Sequence, residues 1–234
     1  MNSHLPDTTE LYRLITFEQL LDCMVNRRFT FIKYKLFDDP WEGFYHKGLH
    51  QINEYDSYAV LGEDRSFIMC FTKRKNSDAM WRIYSKNGRG VQIITNVGRL
   101  RKLVAGRRSD FDCHLKSVCY SNDLEKEDFF VKNFPNASIQ EKALECLFHK
   151  REAFDHEEEV RLALYSHKDR PDSDLQYLYS DPNNVIETVI LDPRIDKRTE
   201  DLQKMTIQKL GFKGIVKKSA LYTYKRVWYE TKSG

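Results

Sequence analysis

The stretch Leu11-Tyr12-Arg13-Leu14-Ile15-Thr16-Phe17-Glu18-Gln19-Leu20-Leu21 sets the fold class of this chain. Leu11 to Ile15 has the apolar and β-branched make-up of a short strand. Thr16, with Gln19 three residues later, is a capping box, so the strand runs straight into a helix predicted over Phe17–Asn26. Phe17, Leu20, Leu21, Met24 and Val25 recur at helical spacing. Arg28 to Lys33 then alternates again and reads as a second strand, with Phe29 and Phe31 on one face.

Further along, Ser66 to Thr72 is apolar on both faces and reads as an interior strand. Ser77 to Tyr84 reads as a helix or turn, and Val91 to Thr95 as a strand after Gly88 and Gly90. Asn96 caps a basic helix ending at Gly106. His114 to Tyr120 reads as a strand, and residues 44–55 as a weak helix. Ser138 and Glu141 form a second capping box, predicting a helix to about Phe154 through Ile139, Ala143, Leu144 and Leu147. Glu157 to Tyr165 and Val185 to Leu191 read as strands, Lys197 to Leu210 as a helix closed by Gly211. Gly214–Lys217 and Leu221–Tyr229 complete the pattern as closing strands.

Strands come singly and in pairs between helices of uneven length, with no βαβ rhythm and no repeat. That pattern predicts one α+β domain, about residues 11–230, after a flexible lead-in of residues 1–10. Its expected sheet core is Phe67, Met69, Phe71, Val91, Ile93, Val160, Leu162, Leu164, Val189 and Leu191.

The chain has 234 residues, 41% apolar and 13% aromatic, enough to bury a core and too aromatic for disorder. Lys plus Arg is 38 and Asp plus Glu 35, a net charge of +3, so bulk charge does not mark a nucleic-acid binder. No apolar run reaches the roughly 20 residues of a membrane helix. Met1 to Thr9 is polar and is not read as a signal peptide. The five cysteines form no Cys-x-x-Cys pair, which argues against a zinc ribbon or disulfide framework and for a reducing, cytoplasmic setting. There is no P-loop, no Gly-x-Gly-x-x-Gly after a strand and no Gly-x-Ser-x-Gly elbow.

The sharpest chemical feature is His156-Glu157-Glu158-Glu159-Val160-Arg161-Leu162-Ala163-Leu164. On a strand, Glu157, Glu159 and Arg161 share one face, while Val160, Leu162 and Leu164 share the core face. Two carboxylates and a guanidinium in a row can hold a substrate hydroxyl or a cationic transition state; they can equally form a solvated ion network. Trp81 and Tyr84, three apart on a helix, form an aromatic surface that suits a planar ring or simple core packing. Arg13 can pair with a phosphate or with a surface carboxylate. Asp38-Asp39-Pro40-Trp41-Glu42-Gly43 reads as a turn or as part of a metal site. His46 and His50 sit at helical spacing but lack further zinc ligands.

In order, Leu11-Tyr12-Arg13, Phe37 to Glu42, Cys70-Phe71-Thr72, Met80-Trp81-x-x-Tyr84 with Gly90 and Ile93, Phe148-x-Lys150 and Glu157-x-Glu159-x-Arg161 resemble a mostly bacterial family catalogued as a domain of unknown function. The opening strand, Phe-x-x-Leu-Leu helix and second strand also resemble the start of the ADP-ribosyltransferase fold, as in the DNA-modifying DarT toxins. That resemblance implies a mixed or antiparallel β core with flanking helices. It implies transfer of ADP-ribose from NAD to a macromolecular acceptor, nucleic acid or protein. It also implies a toxin or phage-defence role, with a possible antitoxin partner, no membrane and no metal. By position, Arg13 would meet the pyrophosphate, with Thr72 in the following core strand, Trp81 and Tyr84 against the nicotinamide, and Arg161 orienting Glu159. Glu159 is expected on the ribose and Glu157 on the acceptor side. A Ser-Thr-Ser triplet is missing, Phe71-Thr72-Lys73 standing in its place. A metal-dependent nuclease using Asp39, Glu157 and Glu159, and a noncatalytic binding module, are the alternative readings.

Overall fold

A computed structural model describes residues 5–37, 39, 42, 50–51, 58–59, 65–122, 132–133, 135–137, 139–168 and 173–224. Among them the strands are β1 (Glu10–Thr16), β2 (Arg28–Lys33), β3 (His50–Gln51), β4 (Tyr58–Ala59), β5 (Ser66–Thr72), β6 (Gly90–Asn96), β7 (Phe111–Ser117), β8 (Cys119–Tyr120), β9 (His149–Lys150), β10 (Glu159–Ser166), β11 (Leu175–Tyr179), β12 (Thr188–Leu191) and β13 (Ile215–Lys218). The α-helices are α1 (Phe17–Asn26), α2 (Asp78–Tyr84), α3 (Val97–Val104), α4 (Ile139–Cys146), α5 (Pro182–Val185) and α6 (Lys197–Lys209). This is the expected α+β class.

Local chemistry explains the first elements. The Gln19 backbone N–H donates to the Thr16 hydroxyl at 3.1 Å and the Thr16 N–H to the Gln19 side chain at 3.0 Å, closing the capping box. Arg27, left-handed at φ 47°, ends α1 and turns the chain into β2.

Nine of the described strands form one sheet. Every pairing in it is antiparallel except β12 with β13. The centre is β5. One of its edges pairs with β10 along the full run from Glu159↔Thr72 to Tyr165↔Ser66. The other edge is shared. Near its start β5 pairs with β2 through Ile32↔Ile68 and Lys33↔Phe67, and at its end with β1 through Tyr12↔Thr72 alone. The sheet therefore forks: β1 continues with β6, β12 and β13, and β2 with β11.

One face of the sheet carries the main core, under α1 (Leu20, Cys23, Met24), α3 (Val97, Leu100, Leu103) and α6 (Ile207). All ten expected core positions lie in this cluster. The other face holds two smaller clusters: Tyr34, Ile68, Leu147, Phe148 and Ala163 in one, and Tyr12, Trp81, Ile94 and Ile190 in the other.

The structure departs from several expectations. The long helix to Phe154 ends at Cys146. Leu147 and Phe148 dive into the second cluster, and His149–Lys150 pairs in parallel with Cys119–Tyr120. Glu152–Glu157 is a 3-10 helix, so β10 begins at Glu159 rather than Glu157. The strand expected from His114 is β7, three residues earlier, followed by the short β8. Pro182 and its cap Asp181 place α5 where an extended start to β12 was expected. The edge strand β11 was not anticipated. Leu5 is buried against the main core, and the Asp7 and Thr9 carbonyls accept from Gly98 and Val97 at the start of α3, so residues 5–9 are docked. The weak helix of residues 44–55 lies outside the described residues except at His50–Gln51, which is β3. The closing strand expected at 221–229 is turn up to residue 224, and its remainder lies outside the described residues.

Candidate active site

Between the two smaller clusters, over the fork, lies a cleft of about 700 Å³. Arg13, Thr72, Tyr84, Glu157, Glu159 and Arg161 all line it, with Phe37, Asp39, Glu42, Cys70 and Lys150. They come from segments far apart in the chain, so the fold rather than local sequence assembles the site.

Arg161 is 1% exposed, and all three of its guanidinium nitrogens are engaged. Nε and Nη2 each donate to one oxygen of Glu159 at 2.9 Å, Nη2 also meets Glu42, and Nη1 donates to the Leu147 carbonyl at 2.7 Å. Such two-pronged pairing fixes orientation as well as charge. The Lys150 ammonium lies 2.7 Å from Glu157, 3.1 Å from Glu42 and 3.5 Å from Glu159. Three donors thus face three carboxylates. Beside them Arg151 makes a forked pair with Asp39 at 2.9 and 3.3 Å.

Burial alone would raise the Glu159 carboxyl, but Arg161 and Lys150 outweigh it and hold it below the usual carboxylate range. Burial would likewise depress Arg161 and Lys150, and the surrounding carboxylates reverse this, so both stay charged. The Tyr84 phenol donates to Glu157 Oε1 at 2.8 Å. Burial and then Glu157 push its pKa up. Tyr120, whose oxygen accepts from the Glu159 N–H, is pushed up to about 12, chiefly by burial.

Arg13 is different. It shares a strand face with Leu11 and Ile15, and its guanidinium reaches the fork, where Nη1 donates to the Cys70 carbonyl at 2.7 Å. Among the described residues no carboxylate forms an ion pair with it, whereas Lys150, Arg151 and Arg161 are all paired. Burial pushes its pKa below the ordinary arginine value, with Cys70 and Glu159 opposing. A desolvated cation facing a cleft favours an anionic ligand.

The structure brings Arg13, Tyr84, Glu157, Glu159 and Arg161 to one cleft. Glu157 reaches it from the 3-10 helix through left-handed Glu158 (φ 41°), not from the strand face. Trp81 is not in the cleft. It is fully buried among Tyr12, Ile94 and Ile190, and its indole N–H donates to Asn76 at 3.2 Å. The expected Trp81–Tyr84 surface is therefore split, because Trp81 faces the sheet and Tyr84 the opening. Thr72 is buried at the rim; its hydroxyl donates to the Glu157 carbonyl and accepts from the Arg74 N–H, clamping the loop that carries Glu157.

Lys150, Glu42 and Cys70 stand in the motifs Phe148-x-Lys150, Phe37 to Glu42 and Cys70-Phe71-Thr72, but nothing in the sequence places any of them beside the Glu157 and Glu159 carboxylates. The signal for Lys150 was its place in the apolar run Leu147-Phe148-His149-Lys150. The acidic turn that the sequence offers for turn or metal chemistry instead brings Glu42 and Asp39 to the cleft's cations. Among the described residues no set of three or more His, Cys, Asp or Glu side chains is placed to hold a metal ion. A second hollow, about 990 Å³ between α3, β7 and α4, is lined by exposed Arg108, Asp112 and Glu141. No helix among the described residues is long and apolar enough to cross a membrane.

A family model matches this chain. It is described as "Protein of unknown function (DUF2971)" and covers residues 80–162, from the Met80-Trp81-x-x-Tyr84 motif through Glu157-x-Glu159-x-Arg161. The resemblance read from those motifs is shown over that stretch. No curated protein matches the chain. Among solved structures, DarT of Thermus sp. 2.9 in complex with NAD+ is similar at 9% identity and a TM-score of 0.43, covering 94% of this chain and 100% of that one. The same protein with ADP-ribosylated single-stranded DNA gives 10% identity and a TM-score of 0.43, covering 96% and 100%. These scores are low, and the functional reading rests on the cleft's own geometry.

Proposed function

We propose that the cleft binds NAD and transfers ADP-ribose to a macromolecular acceptor, nucleic acid or protein. The observation that supports this most is the pairing of opposites across one cleft. Arg13 is a half-buried cation with no ion pair among the described residues, and it lines the same cleft as two buried carboxylates, Glu157 and Glu159, and the Tyr84 ring. NAD has the complementary layout: an anionic pyrophosphate, a ribose that becomes cationic, and a planar nicotinamide.

In this reading Arg13 receives the pyrophosphate and Tyr84 flanks the nicotinamide. The C1′–nitrogen bond breaks with its electron pair going to the nicotinamide nitrogen, so nicotinamide leaves neutral. Positive charge develops on the ribose as in glycoside hydrolysis. A preorganised carboxylate on a ribose hydroxyl binds this state more tightly than the ground state. The acceptor nucleophile then bonds to C1′ and loses its proton to a carboxylate or to water.

The test is incubation of the purified protein with NAD labelled in the adenosine part and with whole-cell extract, with and without chelator. Label entering macromolecules, indifferent to chelator, is the expected result. Chelator-sensitive nucleic-acid cleavage without labelling would replace the reading with the nuclease. Neither activity would leave a binding module.

A further inference from the structure

The two glutamates are held in different ways. Glu159 is fixed from several sides: both oxygens by Arg161, its backbone N–H by Tyr120, and Oε2 also by Lys150 at 3.5 Å. Arg161 in turn has no nitrogen to spare. A ligand hydroxyl that displaced it would strand a fully buried guanidinium.

Among the described residues, Glu157 is fixed only at its back. Thr72 holds its carbonyl and Lys150 holds Oε2 at 2.7 Å. Its other oxygen, Oε1, accepts among the described residues one O–H, that of Tyr84, a residue 42% exposed at the cleft wall. A ribose hydroxyl offers the same kind of donor, so it can replace the phenol without leaving a buried charge unpaired. Lys150, touching Glu42, Glu157 and Glu159 at once, sets where Glu157 stands relative to the frame.

We propose that Glu157 is the carboxylate that meets the ligand, that the Tyr84 phenol keeps its place until the ligand arrives, that Lys150 is its positioning residue, and that Glu159 with Arg161 forms the frame. The activity arm of this inference rests on the NAD reading; the stability arm does not.

The experiment compares Glu157→Gln, Glu159→Gln, Lys150→Met and Lys150→Arg in the full chain, measuring nicotinamide release from NAD and thermal melting. Glu157→Gln should reduce kcat by about 10²–10³-fold, with the melting temperature within a degree or two of wild type. Glu159→Gln should melt more than about 4 °C lower or fail to fold, since a buried guanidinium loses its forked partner. Lys150→Met should lower kcat by at least about tenfold through misplacement of Glu157 with KM for NAD little changed, and Lys150→Arg should recover part of it. A merely structural Lys150 would show no recovery in kcat apart from the melting temperature. Should wild type release no nicotinamide, the NAD reading falls, and the melting data alone judge the division between frame and free carboxylate. Equal thermal losses in the two glutamine variants, or a stable and inactive Glu159→Gln beside an active Glu157→Gln, would overturn it.

Discussion

The Arg13 guanidinium donates to the Cys70 carbonyl at 2.7 Å across the place where β1 parts from β5. Past Tyr12↔Thr72 the two strands no longer pair, so that carbonyl would lack a ladder partner without Arg13. One side chain thus seals the fork while lining the cleft.

Arg13→Ala should therefore raise KM for NAD by about 10–100-fold, the worth of one charge-assisted contact. Arg13→Lys should fall between, since an ammonium cannot serve the carbonyl and an anion in the same forked geometry. Steady-state kinetics check this. An unchanged KM in Arg13→Ala removes the pyrophosphate from Arg13.

Phe71 sits in the main core with Phe67, Met69 and Val160, and is almost wholly buried. Phe71→Ala should cost about 3–5 kcal/mol in denaturant unfolding, by lost transfer and cavity formation. A cost below about 1 kcal/mol would contradict the packing described for β5.

Arg161→Met removes the guanidinium and leaves Glu159 and Glu42 with Lys150 alone. Breaking such a buried pair on one side should destabilise by about 3–5 kcal/mol. Urea unfolding at neutral pH measures this, and a neutral effect would mean that the cluster is open to water.

Acid should weaken the fold in two stages. Burial lowers the pKa of His149 and His114 below the ordinary 6.5, so the unfolded chain takes up protons first as pH falls. Their contribution is full above about pH 6.5 and is lost below it. Glu159 is held below its ordinary value; its contribution is present above that value and is lost as pH falls through the folded one. Exposed His167 beside Asp112 works in the opposite sense but is screened by solvent. Stability measured from pH 7 to 5 should decline, and His149→Gln should flatten that decline. A flat wild-type curve would contradict the neutral state of buried His149 and half-buried His114.

Much of the fold was legible because local chemistry and burial agreed. The Thr16–Gln19 box fixed the start of α1, and the apolar faces of β5, β6, β10 and β12 named the core. The reading failed where tertiary contacts override local pattern. Leu147 continues the helical spacing from Ile139, yet Leu147 and Phe148 are drawn into the cluster around Ala163 and end α4 early. The strand β11 is an edge strand with one fully buried residue, Leu178, so its pattern is faint. In the site, the Glu-x-Glu-x-Arg row stood out, but Lys150 did not: a lysine reads as surface until three carboxylates are known to surround it. Trp81 and Tyr84 looked alike in sequence, and only their packing separates a core indole from a cleft phenol.

The most direct test of the account is nicotinamide release from NAD by the purified protein, followed beside the double variant Arg13→Ala, Glu157→Gln. The account predicts steady release by the wild-type chain and a loss of at least about 10²-fold in the variant, measured on folded protein. No release by the folded wild-type protein, or equal release by both, would contradict it.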